Sequence, residues 1–416
     1  MNNNQKSIAI IGGGAAGMMA AAALIESGKD CDIHIFDVNK NLGVKVLISG
    51  GGRCNVTTGL RDPHLLKNQY TRGATFLKAA LSKLTPKGTY DWFEKYGVPL
   101  KIEDDLRVFP QSNDGKDVVE IFEKMFAQHD VKIHFQSRVT DITKKEDQFE
   151  IITKNQSKIV DYVVIATGGN AYRKTGSTGD GYHFAESLGH TITQLGPSLN
   201  SFFVSEEWPK QLSGIALPNA KLTCKKINAE GPFLFTHFGI SGPVTFALSS
   251  HLTFEPIGND NPCKIKLHPN TNVSDWKTIL TAAIKTDGKK FIKTILNEYL
   301  PKRFTQSLLS QCEITQDTQL ADIPTTKRKK LIELLTKGLP LTLTQRRPGD
   351  EFVTAGGVNT DEINPQTMES LITPGLYFTG EVMNIDAVTG GFNLQSSWAT
   401  GQLAGKSIAK HLLTNE

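Results

Sequence analysis

The feature that most constrains the fold is a glycine cluster that follows a short apolar run near the start of the chain. Residues 7–11 (SIAII) predict a strand, and the small apolar residues 15–25 predict a helix directly after the glycines. Gly12 permits the tight turn, Gly14 lets the backbone approach a pyrophosphate, and Gly17 lets the helix lie close to the strand. The free N–H groups of the helix then face the phosphates. This strand, turn and helix predict a Rossmann-type dinucleotide site.

A second predicted strand places an acid where a ribose would lie. Residues 31–36 (CDIHIF) end in Asp37, 20 residues beyond Gly17, where a carboxylate accepts hydrogen bonds from the adenosine ribose hydroxyls. An acid there disfavours a 2′-phosphate, so the bound nucleotide is not expected to be NADP. The alternative is a glycine-rich turn that holds no ligand.

Two later segments favour FAD over NAD. Residues 131–167 read as a meander of short strands (VKIHF, RVTDI, QFEIIT and KIVDYVVIATGG), which resembles flavoproteins of the glutathione reductase class. Residues 375–381 (GLYFTGE) predict a buried strand that ends on Glu381, followed by a glycine pair and a helix over about 393–413. The N-terminus of that helix suits the negative charge of a reduced flavin. A surface acid is the alternative for Glu381.

Four long motifs identify a family. The stretches GVKVLISGGGRCNVTT (43–58), ATGGNAYRKTGSTGDGY (166–182), FLFTHFGISGP (233–243) and TAGGV…SSWATG (354–401) resemble the BaiN/RdsA-type, YhiN-like family of NAD(P)/FAD-dependent oxidoreductases. TGSTGDGY, TAGGV and PGLYFTGEV also resemble, more distantly, the fumarate reductase and succinate dehydrogenase flavoproteins. The sequence departs from the family pattern at Thr58, Arg173, Asn384 and Ala387, whereas Asp386 is retained.

The resemblance implies both an architecture and a reaction. It implies an α/β fold with a glutathione reductase-like FAD domain made of residues 1–196 and 346–416. An inserted unit over 197–345 would contain a β-barrel at about 197–270 and helices at about 274–340. The implied reaction is hydride transfer from flavin N5 to an activated C=C bond of a small molecule. Because only one GxGxxG motif is present, NAD(P)H would have to dock transiently in the substrate cleft if it is the electron donor, and a protein or quinone donor is the alternative.

The predicted cofactor site gathers residues from both chain ends. The residues assigned to FAD are Gly12, Gly14, Ala15, Ala16, Gly17, Asp37, Lys45, Arg53, Cys54, Asn55, Val139, Thr167, Gly168, Gly380, Glu381, Asp386, Gly391, Phe392 and Asn393. Cys54 stands where disulfide reductases place a redox cysteine, but no second cysteine follows within residues 55–59, so a packed thiol is the preferred interpretation. Arg53 and Asn55 are expected to bind phosphate or ribityl oxygens.

Two residues are candidates for catalysis. His237 ends an apolar strand before a glycine turn, and an imidazole beside the hydride acceptor could protonate the developing enolate. A histidine hydrogen-bonded to the turn backbone is an equally good interpretation. Asp180 in the TGSTGDGY loop is the weaker candidate, since its carboxylate could simply bind amides of its own loop.

Charge and cysteine content leave one further alternative. A net charge of +4 over 416 residues does not by itself favour a nucleic-acid or membrane surface. The basic clusters Lys289–Lys290 and 327–330 keep open an RNA-modifying or regulatory flavoprotein, although solvated helix faces are the preferred interpretation. Five separated cysteines without a CxxC pair predict a reducing, cytoplasmic location with no disulfide framework and no metal site. No apolar run predicts a membrane span.

Overall fold

The computed structural model describes residues 5–414. Its contacts divide the chain into two compact units, one made of residues 1–197 and 352–416 and the other of residues 198–351. The sequence interpretation drew these boundaries at 196/197 and 345/346.

A parallel five-stranded sheet forms the centre of the first unit. In spatial order its strands are Leu376–Phe378, Tyr162–Ile165, Lys6–Ile11, Cys31–Phe36 and Lys132–His134. All four neighbouring pairs are parallel. Four of the strands are mostly buried, as is typical of a parallel sheet, whereas the edge strand Lys132–His134 is partly exposed. The sheet therefore draws strands from the first, middle and last parts of the chain.

The first helix and the last helix of this unit pack closely through small residues. Ala15–Glu26 and Phe392–Thr414 lie side by side, and a Cβ added to Gly401 would come within 2.3 Å of the Ala16 carbonyl oxygen. A Cβ at Gly405 would come within 2.4 Å of the Ala20 carbonyl oxygen. This approach brings the C-terminal segment to the dinucleotide turn.

The predicted meander is smaller than expected. Only Val139–Lys145, Gln148–Thr153 and Ser157–Val160 form the antiparallel three-stranded sheet. The runs VKIHF and YVVI, expected to belong to it, contribute strands to the parallel sheet instead. Their location is wrong in the sequence interpretation because parallel pairing joins distant segments. Lys132–His134 reaches Cys31–Phe36 through the crossover helix Lys116–Gln128, and Tyr162–Ile165 pairs with Lys6–Ile11 and Leu376–Phe378.

Short elements complete the first unit. Its remaining α-helices are Val44–Ile48, Pro63–Lys67, Lys78–Lys83, Pro86–Lys95 and Asp180–Ser187. Its 3₁₀ turns are Ser49–Gly52, Arg173–Thr175, Thr360–Glu362 and Gly380–Val382. Its short strands are Thr57–Thr58, Tyr70–Arg72, Leu100–Ile102, Arg107–Pro110, Val353–Ala355 and Asp386–Ala387, and the strand Gly196–Ser198 reaches the unit boundary.

A closed six-stranded barrel organises the second unit. In order around the barrel the strands are Phe202–Val204, Gly239–Ser241, Ile227–Phe235, Ala216–Cys224, Cys263–His268 and Leu339–Arg346. The helices are Pro243–His251, Trp276–Asp287, Ile292–Leu296, Lys302–Gln311 and Thr325–Lys337, with 3₁₀ turns at Lys210–Leu212 and Leu320–Asp322. The unit has its own buried core.

The barrel extends beyond the range expected from sequence. Its sixth strand, Leu339–Arg346, follows the helical segment and closes the barrel by pairing with both Phe202–Val204 and Cys263–His268. The four helices from Trp276 to Lys337 thus lie between the fifth and sixth strands in chain order, whereas Pro243–His251 lies between the fourth and fifth. No helix within residues 5–414 combines the length and hydropathy that a membrane span needs.

Candidate functional site

The three glycines of the GxGxxG motif differ in whether a side chain would fit. Gly12 and Gly17 leave no room for a Cβ, whereas Gly14 does. Gly12 has φ +108°, and a Cβ there would come within 2.5 Å of the Ala166 carbonyl oxygen. A Cβ at Gly17 would come within 2.0 Å of the Gly12 carbonyl oxygen, so this glycine sets how closely the helix meets the strand. A Cβ at Gly14 would meet nothing within 4 Å. The open backbone at the start of the helix fits a phosphate group.

Asp37 holds the turn in place. Its Oδ2 accepts a hydrogen bond from the Gly13 N–H at 2.8 Å, and its Oδ1 accepts from the Asn39 backbone N–H at 2.7 Å and from the Asn39 side chain at 2.9 Å. A carboxylate has about four acceptor sites, so capacity for a ribose hydroxyl remains. The ribose contact of Asp37 stays a prediction.

A second open backbone surface follows the helix Val44–Ile48. Gly50 and Gly51 adopt left-handed conformations, and a Cβ at Gly51 or Gly52 would meet nothing within 4 Å. Like Gly14, this turn exposes backbone that a ligand can approach closely.

The first two side chains after this turn are held within the protein, and the phosphate contact expected of Arg53 stays a prediction. The Arg53 guanidinium lies 3.7 Å from the centroid of the Phe109 ring and 2.7 Å from Glu103, so these partners hold it. Cys54 is fully buried, and burial raises the pKa of its thiol to about 12. A thiol with this pKa is protonated near neutral pH and is a poor nucleophile. This supports the packed-thiol interpretation of Cys54.

An ion pair joins the family motif at 43–58 to the C-terminal motif at 354–401. The Lys45 Nζ lies 2.8 Å from the Glu381 Oε2, and the Glu381 Oε1 accepts from the Thr354 N–H at 2.9 Å. A Cβ at Gly169 would come within 2.6 Å of both Glu381 Oε1 and Thr354 Oγ1. Burial, with the negative charge of Glu381, raises the pKa of Tyr182. Three of the four sequence motifs therefore meet at this carboxylate.

Buried polar oxygens near these segments lack partners in the protein. Within residues 5–414, Asn170 Oδ1, Thr379 Oγ1 and Asn384 Oδ1 are buried and accept or donate no hydrogen bond. Buried polar groups are nearly always paired, so a polar ligand is expected to satisfy such atoms. Together with the open turns, these oxygens fit a large, polar cofactor such as FAD.

The start of the last helix is clamped against neighbouring backbone. A Cβ at Gly391 would come within 2.2 Å of the Thr57 carbonyl oxygen and 3.0 Å of the Asn55 Oδ1. The Phe392 carbonyl oxygen accepts from the Tyr70 hydroxyl at 3.0 Å. The Asn393 side chain accepts from the backbone N–H of Ala387 and donates to its carbonyl oxygen, both at 2.9 Å. The positive end of this helix dipole is thus held at a defined position.

Asp386 has an ion-pair partner that sequence reasoning missed. Its carboxylate is fully buried and forms a two-point ion pair with Arg72, through Nε to Oδ1 and through Nη2 to Oδ2, the latter at 2.6 Å. The same two residues pair across the strands Tyr70–Arg72 and Asp386–Ala387. This geometry indicates that Asp386 positions the segment before the last helix, and it lends no support to a direct FAD contact.

The remaining predicted cofactor residues lie where the chain packs closely against neighbouring segments. A Cβ at Gly181 would come within 2.1 Å of the Thr167 Oγ1, and Gly168 has φ +71°. The Gly380 N–H donates to the Thr400 Oγ1 at 3.0 Å. Three of the predicted side chains, Ala15, Ala16 and Val139, are at most 8% exposed. The role of all these residues toward FAD stays a prediction.

The two catalytic candidates lie in different units. His237 belongs to the second unit, where it is exposed between two barrel strands and meets the Phe238 ring edge-on at 5.1 Å. The turn is closed by Thr236, whose Oγ1 accepts from the Gly239 N–H at 3.1 Å, so Thr236 fills the structural role considered for the histidine. Its acid role stays a prediction.

Asp180 belongs to the first unit and is held by side chains. Its Oδ1 accepts hydrogen bonds from the Arg138 Nη2 at 2.6 Å and from the Thr178 Oγ1 at 3.0 Å. The sequence interpretation considered amides of its own loop as partners and missed Arg138, which is 42 residues away. A carboxylate engaged in this way is suited to holding the loop.

The comparisons with known proteins agree with this architecture. A family model described as the HI0933-like protein Rossmann domain matches residues 6–407. A 3-dehydro-bile acid delta(4,6)-reductase of Clostridium scindens is 30% identical over 411 residues, which cover 97% of this chain and 99% of that protein. A ribosomal RNA dihydrouridine synthase of Haemophilus influenzae is 31% identical over 389 residues, which cover 91% of this chain and 92% of that protein.

Solved structures show the same fold at low identity. A flavocytochrome c3 fumarate reductase in its open conformation has a TM-score of 0.52 and 17% identity, covering 99% of this chain and 79% of that chain. A quinol-fumarate reductase with menaquinol molecules has a TM-score of 0.51 and 16% identity, covering 99% and 72%. The resemblance carried by the four sequence motifs is confirmed. The chain belongs to the HI0933-like family and is a Rossmann-type flavoprotein oxidoreductase.

Proposed function

We propose that this protein uses FAD to reduce an activated C=C bond in a small molecule, with NAD(P)H as a transient electron donor. The observation that carries the proposal is the meeting of three motifs at Glu381, in the same unit as the open turn at Gly14. These features suit one extended cofactor that spans the unit, with its diphosphate at the first helix.

The residues of this chain would bind and orient the cofactor. The backbone around Gly14 would take the diphosphate, Asp37 the adenosine ribose, and the N-terminus of the helix Phe392–Thr414 the negative edge of the ring. The Lys45–Glu381 pair would fix the two chain segments on either side. FAD, once bound and reduced by two electrons, would supply a hydride from its N5 atom.

The substrate class follows from what the two relatives' reactions share. A 3-keto steroid with 4,6-unsaturation and a uracil ring both contain a C=C bond conjugated with a carbonyl group. Hydride addition to such a bond places negative charge on the carbonyl oxygen, and the α-carbon must then take a proton. We infer that the substrate is a conjugated enone or a related electron-poor alkene.

Anaerobic reduction of the purified protein tests this proposal. NADH or NADPH should bleach the bound flavin, and an enone should restore the oxidised spectrum while its C=C bond is reduced. Unsaturated acids and quinones serve as comparison acceptors. A flavin that stays oxidised with both nucleotides contradicts the donor, and reoxidation by quinones alone contradicts the substrate class.

His237 is the residue we propose as the proton donor. His237→Ala should lower the rate of enone reduction and leave the flavin spectrum and its reduction by NAD(P)H intact. His64→Ala is the matched control, because His64 is exposed on the helix Pro63–Lys67, outside the predicted site. Equal enone rates in the two variants would rule out the acid role.

A second candidate function rests on the ribosomal RNA dihydrouridine synthases among the relatives. It predicts that the protein retains RNA at low salt through the exposed Lys329 and Lys330 of the helix Thr325–Lys337. Charge removal at these two lysines should abolish retention, whereas Lys124→Gln on the helix Lys116–Gln128 should not. Lack of RNA retention by the unmodified protein at low salt would eliminate this candidate.

A further inference from the structure

Two cysteines that are far apart in sequence meet in the barrel of the second unit. Cys224 and Cys263 are separated by 39 positions, yet their Sγ atoms lie 3.3 Å apart. The sequence interpretation expected separated thiols. Both are free thiols in the structure.

The strand register explains why the two side chains share one face. Ala216–Cys224 and Cys263–His268 are antiparallel, with Leu222 opposite Leu267. Leu222 and Leu267 are fully buried, and side chains alternate between the two faces of a strand. Cys224 and Cys263 therefore point to the same side as these leucines, toward the barrel interior.

The position of the cysteines leaves room for the sulfurs to approach. Cys224 is the last residue of its strand, and Cys263 is the first residue of its own. Thr223 and Lys266 form the last pair between these two strands, so neither cysteine is paired across this ladder, although Cys224 pairs with Ile227 and Cys263 with Leu343 on their other sides. A disulfide requires an S–S distance of about 2.05 Å, which needs a shift of little more than about 1 Å at two strand ends.

Burial differs between the two thiols. Cys224 is 1% exposed, and burial raises the pKa of its thiol to about 12, so it is protonated and does not react with free oxidant. It attacks only a sulfenic acid at Cys263, because that sulfur lies 3.3 Å away and this proximity offsets the low nucleophilicity of the thiol. Cys263 is partly exposed. A small oxidant therefore reaches Cys263 first, and Cys224 lies behind it as the resolving thiol.

We propose that Cys224 and Cys263 form a reversible intramolecular disulfide when the protein meets hydrogen peroxide. No group of three or more His, Cys, Asp or Glu residues in the described part of the chain is arranged as a metal site, which favours sulfur chemistry over metal binding at this pair. The inference concerns the barrel alone and is independent of the flavin reaction.

The reaction balances with one peroxide for each pair of thiols. The Cys263 sulfur attacks one peroxide oxygen, the O–O bond breaks, and a sulfenic acid and one water form. The Cys224 sulfur then attacks the Cys263 sulfur, the S–O bond breaks and the S–S bond forms. The Cys224 proton leaves with the released hydroxide as a second water. Two electrons pass from the sulfurs to the peroxide, and a dithiol reductant reverses the change.

Thiol counting and peptide mapping on the full-length protein test the proposal. After one equivalent of hydrogen peroxide, denaturation with an alkylating reagent should label three of the five thiols, and non-reducing digestion should yield a peptide pair joined through Cys224 and Cys263. Dithiothreitol should restore five. Five labelled thiols after peroxide, a cross-link between other cysteines, or a sulfinic acid at Cys263 without a cross-link would overturn it.

Single variants separate the roles of the two sulfurs. With Cys224→Ser, Cys263 should be trapped as a sulfenic acid by dimedone, because its resolving thiol is gone. With Cys263→Ser, Cys224 should keep its thiol under the same peroxide dose. Cys312→Ser is the matched control, since Cys312 is also 1% exposed but lies in the helical part, and its cross-link yield should equal that of the unmodified protein. Should a variant fail to fold, the mapping of the unmodified protein still decides the outcome.

Discussion

Substitution of Gly14 and Gly17 by alanine separates cofactor binding from folding. The two glycines lie three residues apart in one turn, but a Cβ at Gly14 would meet nothing within 4 Å, whereas a Cβ at Gly17 would come within 2.0 Å of the Gly12 carbonyl oxygen. Gly14 has φ −82°, which alanine adopts without strain. Alanine at position 14 is therefore harmless to the protein without FAD, and alanine at position 17 is not.

The expected magnitudes follow from these contacts. Gly14→Ala should leave the free energy of unfolding of the FAD-free protein unchanged or raise it by about 0.4–1 kcal/mol, through the lower entropy of the unfolded chain. The added methyl group should keep the diphosphate of FAD away from the backbone N–H groups. Loss of one charge-assisted hydrogen bond, worth about 1.5–3 kcal/mol, weakens FAD binding roughly tenfold to 150-fold. Gly17→Ala should destabilise both forms by about 1–3 kcal/mol or more, since the helix must move away from the turn.

Thermal unfolding of the FAD-free protein and titration with FAD followed by flavin fluorescence measure the two effects. The expected pattern is normal stability with weak FAD binding for Gly14→Ala, and low stability for Gly17→Ala. Unchanged FAD affinity in Gly14→Ala would show that the diphosphate does not approach this backbone. A loss of stability in the FAD-free Gly14→Ala protein as large as in Gly17→Ala would contradict the open geometry itself.

Three further predictions concern charged groups of the first unit. Lys45→Met should weaken FAD binding and shift the flavin absorption and midpoint potential, because it removes the 2.8 Å ion pair with Glu381. Lys6→Met, which breaks the 2.9 Å pair with Asp161, should leave both flavin properties unchanged. Arg72→Met should lower the free energy of unfolding in urea by about 3–5 kcal/mol because it leaves the Asp386 carboxylate buried without this cation. Arg107→Met, which breaks an exposed pair, should cost about 0–1 kcal/mol, and equal losses would contradict the buried-pair argument. Burial lowers the pKa of both His34 and His134, whose rings are hydrogen-bonded at 2.9 Å. Below about pH 6.5 the unfolded chain therefore binds more protons than the folded protein, and the free energy of unfolding falls as the pH drops. The Tm measured from pH 8 to pH 5 should decline more steeply for the unmodified protein than for His134→Gln, and parallel curves would refute the assignment.

The local pattern of the sequence was sufficient for several strands and helices of the first unit. The strands Cys31–Phe36 and Gln148–Thr153 have the bounds expected from their residues, and the helix Ala15–Glu26 differs by one residue. Such elements depend on side-chain alternation, helical spacing and glycine conformations, which involve only neighbouring residues. The family motifs extended this reading to FAD because each motif is itself a local segment.

The sequence by itself therefore determined the dinucleotide turn, the family and some of the strands and helices of the first unit. Only the tertiary structure decided which sheet holds Lys132–His134 and which strand closes the barrel. It also decided the partners Lys45 and Glu381, Arg72 and Asp386, and Cys224 and Cys263, which are 336, 314 and 39 positions apart. Such pairs depend on how whole strands and helices pack. The sequence next to a residue does not specify which distant side chain will contact it in the folded protein.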